Sequence, residues 1–206
     1  MNNVLKDSLF VSQNRKFDEI QSVVRQFSAE YVGNSIIKDN IFAVIQNYAR
    51  KKEIALELLR FPIHDDELWA LTFLKQDTIF VCVNTALPLC KQFFAASHEL
   101  YHIYCYVENA DQSYIKNGSM LDSATGDETG RTQEDFAGLL LMPDQLLHEQ
   151  ILLYGIDKDL VSVDSVLILM DMFAMPYKAV VLRLFESGNI SHQQAEKLLE
   201  ISSANV

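Results

Sequence analysis

The sequence predicts an α+β domain, a short mixed sheet set among helices. Three observations lead there. Apolar residues recur at helical spacing at both ends of the 206-residue chain. Residues 54–84 hold short apolar runs broken by a turn, which is a strand pattern. Residues 91–106 then form one apolar helical stretch that carries two histidines and a glutamate. Strands gathered in one region, with helices before and after, mark α+β organisation rather than a βαβ repeat.

Each element follows from its own pattern. Phe17, Ile20, Val24, Phe27 and Tyr31 place one helix at 16–33, and Ile37, Ile41, Val44, Ile45 and Tyr48 a second at 36–50. Ile54, Leu56 and Leu58 alternate as in a strand. Two further runs, Leu-Trp-Ala-Leu-Thr-Phe-Leu and Thr-Ile-Phe-Val-Cys-Val-Asn, predict a hairpin with a loop of about three residues at Lys75, Gln76 and Asp77. Pro88 starts the next helix, which runs to about Val107. Residues 108–131 are rich in Gly, Ser, Asp and Asn, the composition of a long surface loop. Thr132 is expected to cap a helix, with Asp135 as its capping-box acid. Pro143 separates that helix from another, which Gly155 closes. Helical stretches at 164–173, 176–186 and 192–201 complete the chain.

Composition narrows the function. Hydrophobic residues make up 49% and charged residues 22%, an ordinary globular balance. The 17 basic residues face 28 acidic ones, a net charge of −11. Phosphate backbones and anionic lipid surfaces attract clustered Lys and Arg, so neither a direct nucleic-acid partner nor a membrane is expected. The N-terminal twenty residues carry charges too early for an export signal. The most apolar stretch, from Val166, is interrupted by Asp171, Pro176, Lys178 and Arg183. Cys82, Cys90 and Cys105 are odd in number and form no Cys-x-x-Cys pair, which suits buried reduced thiols in a cytoplasmic protein.

The chemistry-bearing motif is His98-Glu99-Leu100-Tyr101-His102. On a helix, positions i and i+4 lie within about 40° of each other and one turn apart, so two imidazoles converge on one metal ion. The intervening glutamate is then placed to take a proton from water. With 5 His and 13 Glu in the chain, this pattern arises by chance only about 0.008 times. His98 and His102 are therefore the expected zinc ligands and Glu99 the expected general base. A catalytic zinc site needs a third protein ligand. His64 lies in a turn-like acidic setting, His192 opens a helix, and His148 lies on an amphipathic helix; the nearest acids are Asp127, Glu128, Glu134 and Asp135.

Three segments resemble the ImmA/IrrE family of metallo-endopeptidases. Residues 84–102 place Asn84, Pro88 and Gln-Phe-Phe-Ala-Ala-Ser-His-Glu-Leu-Tyr-His in the family's order. Residues 136–143, Phe-Ala-Gly-Leu-Leu-Leu-Met-Pro, are similar to its F-A-x-x-L-L-M-P signature. Residues 172–180, with Arg183 and Leu184, are similar to its F-x-V-S-x-x-A-V-x-x-R-L segment. The resemblance implies a small zincin with an active-site helix and a second helix that supplies a carboxylate ligand. It implies Zn2+ as cofactor and a helix-turn-helix transcriptional repressor as protein substrate, cleaved to relieve repression; a toxin or antitoxin partner is the neighbouring possibility.

Two positions depart from that pattern. Tyr101 stands where the family has Gly before the second His. Gly130 stands at the ligand acid, six residues before Phe136. The expected third ligand is then Glu134, one turn further on, with Glu128 as the alternative. The expected organisation is a helical pair over 1–50 packed on the core, a zincin-like core over 51–155, and a helix-turn-helix-like subdomain over 156–206. That last region carries four bases against seven acids, which suits packing or protein contact better than DNA.

Overall fold

The protein is described by a computed structural model, which covers residues 5, 10, 15–109, 112–117 and 128–204. The chain opens with α1 (Arg15–Tyr31) and α2 (Ile41–Lys51). Strands β1 (Leu56–Phe61), β2 (Ala70–Lys75) and β3 (Thr78–Asn84) follow, then the long helix α3 (Leu89–Glu108). A short strand β4 (Lys116–Asn117) leads towards α4 (Glu128–Leu141) and α5 (Asp144–Leu153). Three helices end the described chain: α6 (Val163–Phe173), α7 (Tyr177–Glu186) and α8 (His192–Ala204). The architecture is α+β, as expected. No single helix among the described residues is long and apolar enough to cross a membrane.

The sheet order is β1-β3-β2-β4. β1 runs parallel to β3, β2 antiparallel to β3, and β4 parallel to β2. The β2–β3 hairpin turns on two residues rather than three. Gln76 and Asp77 both have left-handed backbones, φ 50° and 59°, as a type I′ turn requires to match the twist of the strands. One sheet face is covered: Ile79, Val81 and Val83 of β3 are fully buried, and α3 packs against β2 and β3.

Three further expectations are corrected. Residues 108–131 are more than a surface loop, because they include a 3-10 turn (Gln112–Tyr114) and β4, which extends the sheet edge beside Phe73 and Leu74. Thr132 is not an N-cap, since α4 begins at Glu128. The thiols are free as expected, but Cys90 is partly exposed while Cys82 and Cys105 are buried.

The N-terminal pair buries its apolar stripe, as its periodicity implies. Phe17, Ile20, Val24 and Phe27 of α1 are buried, and α1 packs along α4. Phe27 anchors a ring cluster with Tyr31, Tyr48, Tyr104 and Phe136. At the other end, α6 and α7 meet at 100°, a helix-turn-helix angle. Ala174 makes that corner in the left-handed region, φ 52°.

Arg183 ties α7 to the α4–α5 junction. Its Nε and Nη2 donate to the Met142 carbonyl at 3.3 and 3.2 Å, its Nη1 to Glu186 at 2.8 Å, and its Nη2 also to Asp144. Gly138 leaves the room: a Cβ there would lie 3.1 Å from Arg183 Cδ. The two distant sequence signatures therefore meet in one structural contact. It closes the C-terminal end of α4, where helix carbonyls lack intrahelical donors.

Candidate metal centre

Helix α3 is the platform. Pro88 is its N-cap with a φ of −53°, and neither Gly nor Pro interrupts its twenty residues. Ala95, Ala96, Leu100 and Ile103 are buried and hold the helix against the core. The i, i+4 spacing then stacks His98 and His102, with ring centroids 5.3 Å apart. Ligand atoms of His98, Glu99 and His102 all lie within 4.8 Å of one another, so the group can hold a metal ion.

The donor set suits such an ion. Glu99 is 7% exposed and offers a carboxylate oxygen within 4.8 Å of both imidazole donors. Two imidazoles and a carboxylate are donor types that zinc accepts. His98 is held neutral: burial lowers its pKa to about 4, the His102 ring adds to the effect and Glu99 opposes it. A neutral imidazole is the form that ligates. His102 Nδ1 lies 2.9 Å from the Tyr114 carbonyl oxygen. A carbonyl can only accept, so Nδ1 carries the proton and Nε2 keeps its lone pair free.

The scaffold around α3 is held by Asn84, which is fully buried. Its Oδ1 accepts from the Ile63 and Ala86 amides at 2.9 and 3.0 Å. Its Nδ2 donates to the Asp65 and Leu68 carbonyls, both at 3.0 Å. One side chain thus joins the β1–β2 loop to the turn that launches α3.

The remaining sequence candidates are spread out. His64 and His148 are exposed. His192 opens α8 against the Phe185 ring and lies 3.8 Å from Glu196. Glu134 is exposed on α4; surrounding protein nevertheless desolvates its carboxyl and raises its pKa, with Arg131 pulling the other way. Glu128 is the first residue of α4, and Asp127 lies outside the described residues. Among the described residues the ligating group comprises only His98, Glu99 and His102.

Asp135 is buried and belongs to the Arg183 cluster. Burial, then the Glu186 and Glu134 charges, push its pKa up to about 8 against the pull of Arg183 and Arg131. Tyr101 turns its ring onto Phe136, 5.1 Å away, and Tyr114, 6.3 Å away. Tyr101 and Tyr104 are thus packing residues of the aromatic cluster.

Sequence reasoning missed the Tyr114 carbonyl, which lies in the stretch expected as loop. A backbone acceptor has no residue signature, so nothing in the composition pointed to it.

The model of the family described as Peptidase_M78, IrrE N-terminal-like domain, matches residues 51–185. No curated protein matches the chain. Among solved structures, eight chains match. One is a Mycobacterium tuberculosis transcriptional regulator, 16% identical, with a TM-score of 0.52 over 88% of this chain and 50% of that one. At that identity the likeness shows a shared fold, and this chain spans about half the regulator's length.

Proposed function

The chain belongs to the Peptidase_M78 family of IrrE N-terminal-like domains, and from that premise we propose that it is a cytoplasmic zinc endopeptidase whose substrate is a helix-turn-helix transcriptional repressor. The domain is of metallopeptidase type. The observation that supports the reading most is the convergence of His98, Glu99 and His102 within 4.8 Å.

In this reading His98 and the free Nε2 of His102 hold the zinc, with Glu134 from α4 as third ligand and Glu128 as the alternative. Bound zinc supplies a Lewis acid for the scissile carbonyl and lowers the pKa of water. Glu99 would accept a proton from the attacking water and pass it to the leaving amine nitrogen. Tyr114 keeps His102 in the tautomer that leaves Nε2 available. The net charge of −11 steers a basic, DNA-binding substrate towards the protein at low salt.

A second reading has one observation in its favour. The ligating group counts three residues among those described; with Glu99 as base, two ligands are left, and Gly130 stands where the family pattern has its acid. The protein would then keep the fold and sequester a repressor, or a toxin or antitoxin partner, without cutting it.

Metal analysis and a Glu99→Gln variant test both. About one zinc per chain, with repressor cleavage lost in the variant while the metal is kept, supports the peptidase. No bound metal after zinc supply overturns it. A variant that relieves repression as well as the native protein selects the second reading.

A further inference from the structure

We draw no further inference here: the strongest candidate, the buried pair of Asp135 and Glu186 beside Arg183 where α4 meets α7, in which Asp135 Oδ2 and Glu186 Oε1 have no hydrogen-bond partner among the described residues, rests on the pKa of Asp135 alone, a residue adjacent to the proposed metal ligand Glu134.

Discussion

His102 and Tyr114 are joined by a 2.9 Å hydrogen bond from the imidazole Nδ1 to the backbone carbonyl oxygen. The contact links α3 to the 3-10 turn that precedes β4, and β4 in turn is held by β2. The edge of the sheet thereby sets the orientation of a metal-ligand candidate. Replacing residues 112–114 by three glycines should loosen that carbonyl and lower zinc affinity about 10- to 100-fold. A chelator competition that shows native affinity would remove Tyr114 from the site.

The third ligand can be assigned by paired substitutions on α4. Glu134→Gln should lower zinc affinity strongly while Glu128→Gln leaves it near native, each measured by chelator competition. The reverse result assigns Glu128. No loss in either variant leaves His98 and His102 as the only protein ligands among these candidates and favours the sequestering role.

Arg183 is 2% exposed and is bonded to Met142, Glu186 and Asp144. Arg183→Ala would leave the Met142 carbonyl and the buried Glu186 carboxylate without that partner. The expected loss is about 3–5 kcal/mol in chemical denaturation, the range for breaking a buried ion pair from one side. Gly138→Ala should cost less, about 1–3 kcal/mol, because its new Cβ would press on the Arg183 stem.

Asp135 makes stability depend on pH. Its folded pKa, pushed up to about 8 chiefly by burial, lies above an unfolded value near 3.9. Between about 4 and about 8 the folded state therefore binds a proton that the unfolded state does not, and stability falls as pH rises. Asp135→Asn removes the titration. Relative to the native protein, the variant should gain stability between about pH 5 and about pH 8.5, seen in denaturant midpoints at both values. An equal difference at the two pH values would show that Asp135 is not the group responsible.

Much of this protein was legible from its sequence, for a local reason. The His98–Glu99–His102 spacing, the helical stripes such as Phe17–Ile20–Val24–Phe27 and the alternating strands are patterns of polarity within a few residues, and backbone periodicity turns them directly into geometry. The hairpin loop was overestimated by one residue, because the left-handed backbones of Gln76 and Asp77 carry no glycine to announce them. The early start of α4 was missed because Thr132 and Asp135 imitate a cap inside the helix.

Tertiary structure alone decided the rest. The Tyr114 carbonyl oxygen that partners His102 is a backbone atom common to every residue type. The meeting of Met142 and Asp144 with Arg183 depends on how helices distant in the chain pack. Sequence thus determined which residues can perform metal chemistry and which helix displays them. Contacts between residues far apart in the chain determined how His102 is oriented and where Asp135 is buried, because those contacts arise from packing and not from local periodicity.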